Sequence, residues 1–180
     1  MKSTILQHYY NKIRVLLLRK NNYLNSHKIP ILLNASIELC SHFHQNSSLE
    51  KKKIALLLEF ITGKKPKVKI LPSEDSINRI QYIVNFSKKE SIIFLYRFVL
   101  ILLPQLRFFN SIFIFKDQIR NDIYFDLKDL SIFKEVNDNF ELFSNYSVIK
   151  NLHLRLRFST YNPNEIYLFL NSFNIPCQLI

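Results

Sequence analysis

The 180-residue chain contains one glycine, two cysteines and no tryptophan. The cysteines, Cys40 and Cys177, lack the paired spacing of a metal site, and the chain needs no disulfide. A single glycine leaves no phosphate-binding glycine loop, and no Ser/His/Asp order, nucleophile elbow or HExxH helix is present. We therefore expect no enzymatic activity, no metal and no other cofactor. His42 and His44 are expected to be solvent-exposed side chains of a polar turn.

Long apolar runs are also missing. The longest, from Ser91 to Leu103, is interrupted by Arg97 and is shorter than the roughly 20 residues that a membrane span needs. It predicts a buried helix. The segment before Glu38 contains no acidic residue, and this basic character imitates a mitochondrial transit peptide.

The formal net charge of +11 is unevenly distributed. Residues 1–69 hold 13 Lys and Arg against 3 acidic residues, whereas residues 70–180 hold 12 against 11. This asymmetry favours a polyanionic partner on the basic side, either nucleic acid or an acidic membrane surface. A basic face that only aids solubility is the alternative.

The single glycine, Gly63, follows a helical pattern. The apolar residues before it recur at the spacing of an amphipathic helix: Ile54, Leu57, Leu58 and Ile61. We predict that this helix ends at Gly63 in a left-handed backbone conformation, and Pro66 prevents it from resuming. The next residues alternate lysine with apolar side chains, which is typical of a strand with one cationic face. Four lysines are therefore expected at one edge of a sheet: Lys64, Lys65, Lys67 and Lys69.

The remaining periodicity predicts one α+β domain over residues 1–180, with a largely antiparallel sheet packed against helices. Helices are predicted over residues 4–20, 49–62, 90–103 and 163–173. Strands are predicted near residues 29–38, 66–71, 79–88, 119–128 and 150–160. The first helix is expected to turn one side inward: Ile5, Tyr9, Ile13, Leu16 and Leu17. The last helix starts with Asn162 as its cap, followed by Pro163 and Glu165.

Several segments share an order with one protein family. Ile61-Thr62-Gly63-Lys64-Lys65-Pro66 is close to the family pattern Ile-(Thr/Ser)-Gly-Gln-Lys-Pro, and Lys28-Ile29-Pro30-Ile31-Leu32-Leu33-Asn34 is similar to its Lys-Ile-x-Leu-Asn strand. Leu103-Pro104-Gln105-Leu106-Arg107-Phe108-Phe109 resembles its Pro-Arg-Ile-Arg-Asp-Phe, and His8-Tyr9-Tyr10 its opening helix. Over most of its length the chain thus resembles the universal large-subunit ribosomal protein five family, which binds 5S rRNA in the ribosome's central protuberance.

The resemblance implies a structural constituent of the large subunit of an organellar, mitochondrial ribosome. It implies rRNA contacts at Lys28, Asn34, Thr62, Lys64, Lys65 and Lys67. Lys69 is added to this set because of its charge and its place on the strand. Arg107 matches an arginine of the family pattern and is expected to contact either rRNA or a core carboxylate. The implied partners are 5S rRNA, large-subunit rRNA and a small-subunit head protein across an intersubunit bridge. Because His8-Tyr9-Tyr10 matches the family's first helix, little chain is left for a cleaved leader, and we expect an organelle-encoded protein.

The chain also departs from the family pattern. The family carries a long basic loop that approaches peptidyl-site tRNA, whereas the corresponding loop here, residues 71–78, is short and holds Glu74 and Asp75. Because carboxylates repel phosphates, we expect no tRNA contact through this loop. Residues 129–149 are expected to form a long connecting segment of acidic character. Residues 105–116 are aromatic and show no clear helix or strand periodicity.

Other interpretations stay open at this point. The alternating face of His153, Arg155 and Arg157 is either a second RNA or protein surface or a solvated sheet face. The phenylalanines of residues 108–115 either stack on bases or pack under a loop. The chain could also be a basic peripheral membrane-associated protein whose first helix lies on anionic lipid, or a nucleic-acid-processing enzyme.

Overall fold

The computed structural model describes residues 2–20, 23, 29–42, 48–71, 79–106, 112–114, 121–127, 130–139 and 152–179. Its helical elements are α1 (Lys2–His8), a π-helical turn (Tyr9–Ile13), α2 (Arg14–Lys20), α3 (Ser48–Thr62), α4 (Lys88–Arg97), a second π-helical turn (Phe98–Leu102), a 3₁₀ turn (Leu103–Gln105), α5 (Lys134–Asn137) and α6 (Pro163–Ser172). Its strands are β1 (Leu32–His42), β2 (Lys67–Leu71), β3 (Arg79–Asn85), β4 (Ile112–Ile114), β5 (Asp122–Leu127), β6 (Leu152–Phe158) and β7 (Cys177–Leu179).

Five strands form one sheet in the order β2-β3-β1-β6-β5, and β4 pairs with β7 in a two-stranded sheet. The β1–β3 and β2–β3 pairs are antiparallel, whereas β4 and β7 are parallel. β5 and β6 also run antiparallel, since Phe158 N donates to Asn121 O while Arg157 pairs with Asp122. The predicted class, α+β with a largely antiparallel sheet, is confirmed.

The chain forms two compact units. Unit 1 comprises Met1–Ala35, Phe86–Ile123 and Leu156–Ile180, and unit 2 comprises Ser36–Asn85 and Tyr124–Arg155. Strands β1, β5 and β6 contribute residues to both units. A single domain over residues 1–180 stays a prediction.

In unit 1, the first helical segment buries Tyr9, Ile13 and Leu17. Leu16, which was expected on the same side, is 46% exposed. The π-helical turn at Tyr9–Ile13 explains the difference. A π-helical turn holds more residues than an α-helical turn. Residues spaced by four, here Tyr9, Ile13 and Leu17, therefore line up on one side of the helical segment, and Leu16 lies outside that line.

An aromatic cluster forms much of the unit 1 core. The ring of Tyr9 stacks on Phe173 with centroids 6.0 Å apart, and Phe169 lies 5.0 Å from Phe173 and 5.3 Å from Phe158. Phe169 of α6 and Phe173 just after the helix reach this cluster because the apolar side of the helix is buried. The predicted cap of α6 is confirmed, since Asn162 Oδ1 accepts a hydrogen bond from Asn164 N at 3.0 Å.

In unit 2, the predicted stripe of α3 is confirmed as core: Ile54, Leu57, Leu58 and Ile61 are all buried. Apolar side chains of β1 and β3 are buried as well: Ile37, Leu39, Ile80, Tyr82 and Val84. β2 is the outermost strand of the sheet order. Its apolar residues Val68 and Ile70 are 54% and 68% exposed, so the noncationic side of this strand is not covered.

Candidate nucleic-acid interface

The end of α3 is fixed by Gly63 and Thr62. Gly63 has a φ of 68°, the left-handed conformation that the sequence predicts, and its N–H donates to Glu59 O at 2.7 Å. The hydroxyl of Thr62 lies 2.6 Å from Leu58 O and accepts a hydrogen bond from Lys64 N at 3.2 Å. Thr62 was predicted as an rRNA contact, and here its hydroxyl stabilises the turn that leads into the lysine segment.

The lysine edge, defined as Lys64, Lys65, Lys67 and Lys69, runs from this turn into β2. Lys64 is half-buried, and the other three side chains are exposed. Among the residues that the structure describes, no carboxylate pairs with Lys65, Lys67 or Lys69. Three ammonium groups of neighbouring residues are therefore available to a polyanion.

Asn34, Lys28 and Arg107 complete the predicted contact set. Asn34 is half-buried in β1 and belongs to unit 1, whereas the lysine edge belongs to unit 2. Lys28 and Arg107 lie outside the described residues. The structure thus groups Thr62 with the four lysines, and all eight rRNA contacts stay predictions.

The lysines of β2 share one side of the sheet with polar residues of β1 and β3. Lys69 lies opposite Gln81, Lys67 lies opposite Ile83, and Ile83 lies opposite Glu38. Directly opposite residues of paired strands project to the same side. We call this the polar side of the sheet, and its members in these strands include Lys67, Lys69, Gln81 and Glu38.

Glu38 is a nearly buried carboxylate at the centre of the polar side, with 9% exposure. It accepts hydrogen bonds from Ser36 Oγ at 3.1 Å and from Gln81 Nε2 at 2.9 Å, and Arg155 Nη1 lies 3.6 Å from its Oε1. These hydrogen bonds and the nearby guanidinium offset part of the cost of burying the charge. Glu38 is not among the predicted site residues, although its position between Ile37 and Leu39 in an apolar strand is a signal in the sequence.

The two arginines and the histidine of β6 each contact an acidic residue. Arg157 makes two hydrogen bonds to Asp122, at 2.8 and 3.1 Å. His153 Nδ1 contacts Asp126 Oδ1, and Arg155 pairs with Glu38. These partners offset the positive charge of the strand. The structure therefore favours the lysine edge over β6 as the main surface for a polyanion.

An exposed aromatic ring completes the polar side in unit 2. Tyr124 in β5 is 47% exposed, and the guanidinium carbon of Arg155 lies 5.4 Å from its ring centroid. This distance is that of a cation–π contact. No pattern in the sequence singles out Tyr124.

Other classes of site have little support in the described parts of the chain. In the ranges given above, no group of three or more His, Cys, Asp and Glu side chains could hold a metal ion. Nor does any described helix have the length and apolar character needed to cross a membrane. Burial raises the pKa of the Cys177 thiol to about 11, so this cysteine stays protonated and unreactive near neutral pH.

The chain is similar in sequence to a known ribosomal protein. No protein-family model matches the chain. The large ribosomal subunit protein uL5m of Reclinomonas americana is 24% identical over 185 residues, which cover 94% of this chain and 95% of that protein. This likeness runs nearly end to end and supports the resemblance to the ribosomal protein five family.

Solved structures also match the chain. One example is that of Mth689, a DUF54 protein from Methanothermobacter thermautotrophicus, with a TM-score of 0.45 and 11% sequence identity. The match covers 78% of this chain and 95% of that one. A likeness of this degree carries no conclusion about fold or function.

Proposed function

We propose that this chain is a structural, non-enzymatic constituent of the large subunit of a mitochondrial ribosome, where it binds 5S and large-subunit rRNA in the central protuberance. The observation that carries the proposal is the end-to-end likeness to uL5m, together with an exposed lysine edge at the segment that resembles the ribosomal family most strongly. The likeness supports a ribosomal role at the coarse level, and the rRNA contacts are inferred from the chemistry of the edge.

The lysine edge suits the RNA backbone. Lysine ammonium groups neutralise phosphates as point charges and give affinity that falls with salt. Lys65, Lys67 and Lys69 have no acidic partner among the described residues that would compete with phosphate. Thr62 and Gly63 act by holding the turn that sets the direction of this segment. In this proposal Lys28, Asn34 and Arg107 are further rRNA contacts.

The further partners follow from the same likeness. We propose that a small-subunit head protein contacts the chain across an intersubunit bridge. Contact with peptidyl-site tRNA is not proposed, because Glu74 and Asp75 in the short loop 71–78 would repel phosphates. We further propose that the protein is encoded and used within the organelle.

The membrane alternative is disfavoured by the first helical segment. A helix that lies on a bilayer presents its apolar side to the lipid. Here that side, Tyr9, Ile13 and Leu17, is buried in unit 1, where Tyr9 packs on Phe173. The basic residues Arg19 and Lys20 remain exposed on the segment, but its main apolar stripe is not available for insertion.

The test is the salt dependence of RNA binding by a variant that neutralises the exposed lysines (Lys65→Gln, Lys67→Gln, Lys69→Gln). A transcribed 5S rRNA serves as the probe, and affinity is measured by filter binding over a range of KCl concentrations. Each lost phosphate contact is expected to lower the slope of log K against log salt by about 1, so the triple variant should lose up to about 3.

A matched control removes the same charge elsewhere. Lys88, Lys89 and Lys134 are exposed lysines outside the lysine edge, and their glutamine variants should leave the slope nearly unchanged. Equal losses in both triple variants would mean that net charge alone governs binding. That result would contradict a specific role for the lysine edge.

A further inference from the structure

Tyr124 presents an open aromatic surface on the polar side of the sheet in unit 2. Its side chain is 47% exposed although the neighbouring β6 supplies Arg155 directly over the ring. An exposed tyrosine ring offers a flat, largely apolar surface that a partner can cover.

Arg155 is held in place over Tyr124 by a fixed set of partners. It pairs with Glu38, which is 9% exposed and is also bound by Ser36 and Gln81. Moving Arg155 away would leave a buried carboxylate without its cation, which is costly. The guanidinium and the ring therefore form a preorganised flat surface.

The same side of the sheet leads from Tyr124 to the lysine edge. Arg155 pairs with Glu38, Glu38 lies opposite Ile83, and Ile83 lies opposite Lys67. Five adjacent strands thus connect Tyr124 with Lys67. At about 4.8 Å per strand, the two residues are about 19 Å apart. A few nucleotides of a single strand can span this distance.

We propose that an unpaired base of the bound RNA stacks on Tyr124, backed by Arg155, while the lysine edge holds the phosphates of the same strand. This inference rests on the proposed function and adds to it the ligand class, a single-stranded loop or bulge. Splayed bases stack on aromatic rings and on Arg guanidinium planes, and every base offers such a face. Lys67 and Lys69 lie on the same side and have no acidic partner among the described residues, which favours RNA over a protein neighbour.

The absence of tryptophan allows a direct test. Tyr124→Trp introduces a single tryptophan at the proposed stacking position, and its fluorescence can be excited selectively over that of the tyrosines. Tyr161→Trp is the matched control, because Tyr161 is a tyrosine of unit 1 with 63% exposure. Each variant is titrated with a 15-nucleotide single-stranded RNA and with a blunt RNA duplex of the same sequence. We expect saturable quenching only at position 124 and only with the single strand.

A second variant measures the energetic share of stacking. Tyr124→Leu should weaken binding of the single strand by roughly 5- to 100-fold, whereas Tyr124→Phe should bind like the parent. The salt slope should stay unchanged in both, because stacking neutralises no phosphate. Thermal unfolding of each variant checks that the fold is retained.

The outcomes separate this inference from the proposed function. If the parent and Tyr124→Trp bind the single strand equally without quenching, stacking is overturned and the proposed function stands. Unchanged affinity of Tyr124→Leu also overturns stacking and leaves the ring to a protein neighbour. If the parent binds neither RNA, the proposed function and the stacking inference are both overturned.

Discussion

Replacement of Gly63 tests how the lysine edge is positioned. Gly63 has a φ of 68° at the end of α3, and a Cβ built at this position would meet no atom within 4 Å. A substitution therefore causes no clash, and its cost comes from the backbone conformation alone. Three variants separate the contributions: Gly63→Ala, Gly63→Val and Gly63→Asn.

The expected magnitudes follow from the left-handed conformation. An ordinary L-residue pays roughly 1–2 kcal/mol to adopt it. Replacing glycine also restricts the unfolded chain, which returns about 0.4–1 kcal/mol. Gly63→Ala should thus lower the free energy of unfolding by about 1 kcal/mol. Gly63→Val should cost more because it is β-branched, and Gly63→Asn should cost less because Asn tolerates this region.

The assay is thermal and urea unfolding followed by circular dichroism. For a chain of this size, 1 kcal/mol shifts Tm by roughly 2–4 °C. We expect the order parent, Asn, Ala, Val from highest to lowest Tm. The same Tm for the parent and Gly63→Val would refute the reasoning, because it would mean that the helix does not end here in a left-handed residue.

The other predictions concern the lysine edge and the two cores. Lys64→Glu combined with Lys65→Glu should weaken binding to 5S rRNA by a factor that shrinks as salt rises, and equal binding at low salt would contradict the RNA contact. Tyr9→Phe should raise the free energy of unfolding by about 1 kcal/mol, because the Tyr9 hydroxyl is buried and makes no hydrogen bond within the described structure. Burial raises the pKa of Tyr9 from 10.0 to about 12, so the unfolded chain ionises this hydroxyl first and the parent loses stability as pH rises from about 10 towards 12. The parent should therefore lose more stability than Tyr9→Phe over that interval in urea titrations, and parallel losses would be the contrary result. Glu38→Ala should lower the free energy of unfolding by about 3 kcal/mol in the same assay, since it removes the carboxylate that Arg155 and Gln81 bind. A loss below about 1 kcal/mol would show that the carboxylate is not structurally required.

The features that the sequence predicts correctly are local. The apolar stripe of α3, the left-handed Gly63 and the Asn162 cap each depend on residues within two helical turns. Such short-range patterns specify an element before any tertiary contact forms. They sufficed for the α+β class and for the position of the lysine edge.

The features that the sequence did not predict depend on distant pairing or on irregular backbone. β4 and β7 have three residues each and pair in parallel, so neither shows a periodicity of its own. The π-helical turn at Tyr9–Ile13 changes the spacing of the buried residues, so Leu16 is exposed although regular helical periodicity predicts it on the buried side. Asn174 occupies the left-handed position after α6, with a φ of 59°, where glycine would be the usual signal.

In the candidate site, too, the local features could be predicted from the sequence and the features that depend on distant pairing could not. The lysines could be found from charge and alternation because both are visible in a short segment. The contacts of Glu38 with Arg155, and of Arg155 with Tyr124, depend on the order of strands in the sheet. No spacing in the sequence encodes that order, so the paired charges of β6 and the exposed ring appeared only with the fold.

The central claim is that the lysine edge contacts rRNA within a large ribosomal subunit. The most direct measurement is lysine-reactive protein–RNA cross-linking on the large-subunit peak of a sedimented organelle lysate. We predict that the chain travels in that peak and that Lys65, Lys67 and Lys69 form cross-links to RNA. A chain that stays with the membrane or free-protein fractions, or one that travels in the peak without RNA cross-links at these lysines, would contradict the account.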